Sequence, residues 1–166
     1  MQNEIRNTHA NKAASYDIGR PGYPEEFFDY LYGEFGLTNR SVIADIGAGT
    51  GKITKRFLER GTKVFAIEPD KNMMSFLKTN LAGYTNCTFI ESSAESTGIA
   101  SNSLDLIFCG NSYIWFNRND VVPEFQRVVR YSDNHNVVIA HMSPDDRHIS
   151  MNYLKPKRSS SGLLCA

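Results

Sequence analysis

Residues 41–54 read SVIADIGAGTGKIT, and this stretch limits the fold more than any other in the chain. A run of β-branched and small apolar residues leads straight into three glycines at alternate positions, Gly47, Gly49 and Gly51. Such a run is expected as a strand buried on both faces, since a strand covered by helices on each side is apolar almost throughout. The segment that follows, KITKRFLERG, places Ile53, Phe57 and Leu58 on one helical face and closes at Gly61. Strand, glycine turn and helix in immediate succession make the first half of a crossover unit. One detail is unusual: Asp45 puts a carboxylate two residues ahead of the first glycine.

The alternation continues downstream. KVFAIE (63–68) reads as a second buried strand, and DKNMMSFLKTNLAG (70–83) as a second helix with Met73, Met74, Leu77 and Leu81 inward. CTFIE (87–91), SLDLIFCG (103–110) and NVVIAH (136–141) make a third, fourth and fifth strand. Upstream, RPGYPEEFFDYLYGEFG opens with turn chemistry and becomes a helix, with Pro24 in its first turn and Phe27, Phe28, Leu31 and Phe35 at helical spacing. NDVVPEFQRVVR (119–130) is mostly helical, with Pro123 expected in the first turn or at a kink. Strands alternating with helices predict an α/β, Rossmann-like, doubly wound and mostly parallel sheet with helices on both faces. In such sheets ligands bind beyond the carboxyl ends of the strands, at the switch point of strand order. One domain is expected over residues 1–155, with residues 156–166 a disordered tail.

Composition narrows the partners. Lysine plus arginine and aspartate plus glutamate both number 18, so the chain lacks the basic excess of a polyanion-binding surface, and no nucleic-acid partner is expected. The first residues have no apolar signal core, and no window approaches the roughly 18 to 20 apolar residues of a membrane span. Cys87, Cys109 and Cys165 are odd in number and fit no metal spacing, as for reduced thiols in a cytoplasmic protein. His141, Asp145, Asp146 and His148 match no established ligand pattern, SPDD reads equally as a helix start capped by Ser143, and no metal is expected. The KPKR run (155–158) reads as a solvated tail.

The glycine turn invites a nucleotide, and its chemistry discriminates among them. A dinucleotide fingerprint, G-x-G-x-x-G, would place a glycine at Lys52, and no G-x-x-x-x-G-K-[ST] phosphate loop is present. A carboxylate at Asp45 would repel a diphosphate and favour a cation such as an α-ammonium or a sulfonium. Glu68, at the end of the second strand and 23 residues after Asp45, is placed to accept hydrogen bonds from both ribose hydroxyls and would disfavour a 2′-phosphate.

On these residues the chain resembles the class I S-adenosylmethionine-dependent methyltransferases, in particular their small-molecule, type 11-like members. ADIGAGTGKIT resembles that family's first motif and VFAIEPDKNMM its second. FIESSAESTGIASNSLDLIFCGNSYIWF is similar to the segment that contacts adenine and opens the substrate pocket. YDIGRPGYP resembles the segment that closes over the cofactor, which makes residues 1–36, approximately, a lid. The resemblance spans roughly residues 14 to 142, in the family's order. It implies S-adenosylmethionine as cofactor, S-adenosylhomocysteine as product, and a small-molecule methyl acceptor. Carried across by position, Asp45, Gly47, Ala48 and Gly49 would line the methionine moiety and Glu68 would hold the ribose. Pro69 and Met73 would lie beside the adenosine, Ser93, Ala94 and Glu95 would flank the adenine, and Asn111 would sit beneath the sulfonium. Tyr16 and Arg20 would close from the lid, Arg20 towards the methionine carboxylate.

The chain departs from the family in three places. Ser93 stands where an acid often accepts from the adenine amino group, and Ile114 stands where a histidine often precedes the tryptophan of SYIWF. The family's sheet has seven strands and ends in an antiparallel hairpin. Here only five strand runs are read, the segment after residue 142 is taken as lacking strand alternation, and the C-terminus is expected to be truncated with the fifth strand as an open edge. Methyl transfer from a sulfonium asks mainly for alignment and exclusion of water. Tyr16, Tyr23 and Tyr113 are the side chains nearest the expected pocket, as walls rather than bases, and no catalytic residue is assigned. Two other readings are an inactive cofactor-binding or pairing module that uses the open edge, and a nicotinamide-dependent oxidoreductase, disfavoured by Asp45 and Lys52.

Overall fold

The structure, a computed structural model, describes residues 22–131, 137–142 and 149–154. The chain runs α1 (Glu25–Phe35), β1 (Val42–Ile46), α2 (Lys52–Glu59), β2 (Lys63–Ile67), α3 (Lys71–Asn80), β3 (Cys87–Ile90) and β4 (Leu106–Gly110). A 3-10 turn (Tyr113–Trp115), α4 (Arg118–Val128), β5 (Val137–Met142) and β6 (Ile149–Leu154) complete it. The six strands form one sheet in the order β3-β2-β1-β4-β5-β6. All neighbours are parallel except β5 and β6. Strand order reverses between β1 and β4, so the glycine loop after β1 opens at the switch point.

The period of two along each strand divides the core. Ile43, Val64, Leu106, Phe108 and Val138 face α1, α2 and α3, whose Phe27, Phe28, Leu31, Phe57 and Leu77 cover that side. Ala44, Ile46, Ile67, Ile107 and Val137 face the other way, against Val121, Phe125 and Val128 of α4. Helices therefore cover both faces, as the apolar strand runs require. Phe57 is fully buried and meets the rings of Phe28 and Phe108 edge-on at 5.4 and 5.5 Å, so it joins α1, α2 and the sheet.

Two details differ from the sequence reading. Pro123 lies inside α4 beyond its first turn, where it removes one backbone N–H from the helical ladder. Burial of Val121, Phe125 and Val128 on the flanking turns holds the helix against that cost. The second difference is a correction: β5 is not an open edge, because β6 pairs with it antiparallel from Met142–Ile149 to Val137–Leu154. Ile149, Met151 and Tyr153 pack against the α1 side of the core while Ser150 and Asn152 are exposed. The alternation I-S-M-N-Y was present in the sequence, obscured by the polar SPDDRH run before it. One antiparallel edge strand, rather than the family's full hairpin, is seen among the described residues.

The connection from β3 to β4 is anchored on α4. The Glu124 carboxylate accepts from the Thr97 backbone N–H at 2.9 Å and hydroxyl at 2.6 Å, and from the Arg127 guanidinium at 2.8 Å. These bonds, led by Arg127, hold the Glu124 carboxyl down at about 2, although burial opposes them. A carboxyl lowered in the folded state contributes stability above its unfolded value, and that contribution is lost as pH falls towards 2. With Arg127 40% exposed, we expect Glu124→Gln to cost about 1 to 2 kcal/mol at pH 7. The deficit should shrink as pH falls from 5 to 3, as read by urea denaturation at each pH.

Candidate functional site

The carboxyl ends of β1, β2 and β4 converge on the glycine loop. Gly47, Gly49 and Gly51 all take positive φ, at 74°, 59° and 90°. At Gly47 a side chain is excluded twice over, by the backbone and by space, since an added Cβ would lie 2.5 Å from the Ser112 Cβ. Ser112 is itself tied to β1, its hydroxyl donating to the Ile46 carbonyl at 2.6 Å. At Gly49 an added Cβ would meet none of the described residues within 4 Å.

The loop's N–H groups decide what it can hold. Those of Gly47 and Ala48 both donate to the Ile67 carbonyl, at 2.9 and 3.0 Å, and that of Gly51 donates to the Ala48 carbonyl at 3.0 Å. The Gly49 N–H donates to Glu68 Oε2 at 2.8 Å. A phosphate cradle presents converging N–H groups to its anion. Here these four point back into the protein.

Glu68 sits where β2 ends and is 7% exposed. Besides Gly49, its carboxylate accepts from the Asp70 N–H at 3.0 Å, so the side chain is pinned from two directions. Asp70 in turn caps α3, accepting from the N–H groups of Asn72 and Met73 at 2.9 Å. Pro69 is exposed between these two acids, and Met73 is buried on the first turn of α3.

Asp45 is buried near the end of β1. It is 1% exposed, and its Oδ2 accepts the Thr54 hydroxyl from α2 at 2.6 Å. Burial pushes the Asp45 carboxyl up to about 7, with the Thr54 bond opposing and the nearby Glu68 charge adding to the rise. Asp45 is thus tied to the first half of α2. Thr54 escaped the sequence reading, although a lone hydroxyl on the buried stripe of Phe57 and Leu58 was the available signal.

The remaining predicted residues ring the same edge. Ala94 is buried, Ser93 and Glu95 are half-buried, and Glu95 Oε1 accepts from the Asn117 N–H at the start of α4, at 3.0 Å. Asn111, at φ 59°, bridges β4 and β5: its N–H donates to the Ala140 carbonyl and its Oδ1 accepts from the Met142 N–H at 3.1 Å. Its side-chain oxygen is therefore bonded to the sheet. Beside it the 3-10 turn exposes Ile114 and Trp115, while Tyr113 packs edge-on against Phe116 under the Arg118 guanidinium. Tyr23 is a core residue, with its hydroxyl donating to the Ala140 carbonyl at 3.1 Å and its ring stacked on Phe27. Tyr16 and Arg20 lie outside the described residues, as do Ser143, Asp145, Asp146, His148, the KPKR run, Cys165 and the tail. Among the described residues, no group of three metal-ligating side chains occurs and no helix is long and apolar enough to cross a membrane.

This arrangement has known counterparts. A family model for the methyltransferase domain matches residues 44–132, more than half of the chain and all of the site from β1 to α4. The chain belongs to that methyltransferase family. Among its relatives, an uncharacterized methyltransferase of Mycobacterium bovis is 34% identical over 116 residues, covering 70% of this chain and 45% of the relative. An uncharacterized methyltransferase of Schizosaccharomyces pombe is 30% identical over 127 residues, covering 76% and 49%. The chain spans about half the length of the curated relatives it matches. In fold it is similar to a Haemonchus contortus N-methyltransferase solved with phosphomonomethylethanolamine and S-adenosylhomocysteine. The TM-score is 0.70 at 15% identity, covering 82% of this chain and 34% of that one. The six-stranded, mostly parallel sheet is thus the Rossmann-like sheet of methyltransferases.

Proposed function

We propose that this methyltransferase chain binds S-adenosylmethionine across the carboxyl edge of β1, β2 and β4 and serves transfer of its methyl group to a small-molecule acceptor. The observation that carries this reading is the loop's hydrogen bonding. Four N–H groups that would grip a phosphate are bonded inward, and one of them holds Glu68 at the strand end. A carboxylate fixed there suits a ribose diol and opposes a diphosphate. Among the described residues nothing fills the space at Gly49, which leaves room for a ligand to lie against the backbone.

In this reading Glu68 accepts from both ribose hydroxyls, and Pro69 and Met73 border the adenosine. Ser93, Ala94 and Glu95 flank the base, with Ser93 as the hydroxyl partner in place of an acid. Asp45, Gly47, Ala48 and Gly49 line the methionine end, the last three as a floor of backbone and one methyl group, and Asn111 sits beneath the sulfonium where β4 is tied to β5. Tyr16 and Arg20 belong to the lid, Arg20 as the partner of the methionine carboxylate. The bound cofactor supplies an electrophilic methyl on a sulfonium, and the protein's part is to align the acceptor with it and exclude water. Relatives named as methyltransferases and the fold neighbour's complex with S-adenosylhomocysteine support the choice of cofactor. The pairing-module alternative rested on an open β5 edge, which β6 occupies.

Calorimetric titration with S-adenosylmethionine, S-adenosylhomocysteine and NAD tests the reading. Both adenosyl-sulfur compounds should bind and NAD should not. Binding of NAD alone would sink the proposal. Transfer of a labelled methyl group to members of a panel of small amines, thiols and hydroxy compounds should follow, and binding without any transfer would favour a non-catalytic binding module.

A further inference from the structure

We propose that the methyl acceptor of this site is an apolar small molecule with an aryl-like body and a carboxylate, for which Ile114 and Trp115 form the apolar wall and Arg118 anchors the charge. The inference rests on the cofactor reading above and deepens it by naming the class of acceptor.

The 3-10 turn that carries the wall is built against the glycine loop. Ser112 and Phe116 flank the turn on either side, and an added Cβ at Gly47 would lie 2.5 Å from the Ser112 Cβ and 3.8 Å from the Phe116 ring. The Ser112 hydroxyl bond to the Ile46 carbonyl fixes that approach. A molecule lying along the loop backbone therefore has Ile114 and Trp115 for neighbours. Ile114 is 69% exposed and Trp115 39%. Among the described residues they are the only two large apolar side chains adjacent in sequence that are both exposed. Apolar surface of this kind at the rim of a site gains by being covered, and an apolar body on the acceptor covers it.

Arg118 supplies the charge on the same rim. Its guanidinium lies over the Tyr113 ring, 5.6 Å from the centroid, and Tyr113 meets Phe116 edge-on at 5.9 Å, so the cation stands two rings away from the glycine loop. Arg56, Arg60, Arg127 and Arg130 each hold a carboxylate, whereas none of the described residues pairs one with Arg118. The acids beside it are engaged by Asn117, whose N–H donates to Glu95 Oε1 at 3.0 Å and whose side-chain amide donates to Asp120 Oδ2 at 2.5 Å. The Tyr113 ring holds the guanidinium in place and leaves its N–H groups for a planar carboxylate, which a guanidinium binds through two parallel bonds. Glu95 and Asp120 bring negative charge close by, which opposes a dianionic phosphate more than a singly charged carboxylate.

Trp115 is the only tryptophan of the chain, so its emission reports on the wall directly. The full chain, loaded with S-adenosylhomocysteine, is titrated with 3-phenylpropionate, with its uncharged amide and with propionate. The aryl acid should move the Trp115 emission to shorter wavelength along a saturable curve. The amide and propionate should each bind about tenfold more weakly, the one for want of the charge and the other for want of the ring. Arg118→Met, which keeps an apolar stem over Tyr113, should bring the acid and the amide to the same affinity. Ile114→Ala should weaken both aryl compounds about threefold and keep the acid-to-amide ratio. Equal affinity for acid and amide in the wild type would overturn the anchoring role, as would an undiminished preference for the acid in a folded Arg118→Met variant. An emission that ignores both aryl compounds would overturn the proposal, and if it changed with protein concentration instead it would give this face to a second copy of the chain. Calorimetry with S-adenosylhomocysteine on the same samples separates the two levels of failure. If it binds and the aryl acid shows no preference, only the acceptor class is lost. If the wild type does not bind it, the cofactor reading goes, and this inference with it.

Discussion

Glu68→Ala is expected to weaken S-adenosylhomocysteine binding about 100-fold. Two charge-assisted hydrogen bonds to the ribose hydroxyls, at about 1.5 kcal/mol or more each, amount to about 3 kcal/mol, and each 1.4 kcal/mol is a factor of ten. The substitution has a second effect, because Glu68 also accepts from the Gly49 and Asp70 N–H groups and so shapes the loop and the entry to α3. Separating the two needs a ligand that lacks one hydroxyl. The wild type should bind the 2′-deoxy analogue of S-adenosylhomocysteine about tenfold more weakly than the parent compound, and Glu68→Ala should bind the two alike. Glu68→Gln retains one acceptor and should fall between. If Glu68→Ala still discriminated the analogue as the wild type does, Glu68 would be a loop support without a ribose contact.

The second large effect is structural. Gly47→Ala should destabilise the chain by about 3 kcal/mol. A left-handed backbone costs a non-glycine residue about 1 to 2 kcal/mol, and overpacking adds a comparable amount. The overpacking arises because the new methyl would sit 2.5 Å from the Ser112 Cβ, which cannot retreat without losing its hydroxyl bond to the Ile46 carbonyl. For a chain of this length such a loss lowers the melting temperature by roughly 10 °C. Adding Ser112→Gly should restore about half, because it relieves the clash and leaves the backbone cost in place. A calorimetric scan of the single and double variants measures both terms. An unchanged melting temperature in Gly47→Ala would mean that the loop relaxes freely, and its role as a rigid floor would fall.

The residues that compose the candidate site are marked locally in the sequence. Asp45, Gly47, Gly49 and Glu68 stand at strand ends, and strand ends follow from where apolar runs stop. The runs themselves were placed within two or three residues, since a strand buried on both faces is apolar without interruption. The β6 strand was missed for the opposite reason. It is an edge strand with one wet face, its signal is a five-residue alternation, and a polar run precedes it. Of the two outcomes read for Pro123, first turn or kink, the first is not the one found, because packing of Val121, Phe125 and Val128 holds a helix that local propensity would end.

The sequence by itself determined the parallel, helix-covered part of the sheet and the chemical character of its carboxyl edge: an acid before three glycines, a second acid one crossover later, and apolar strands that only a doubly covered sheet can bury. Only the tertiary structure decided how each acid is used. Two carboxylates of like sequence context thus differ in partners, one fixed at the strand end by the Gly49 and Asp70 N–H groups and the other buried against Thr54 of α2. Which donors surround a side chain depends on elements far apart in the chain, and no local pattern records it.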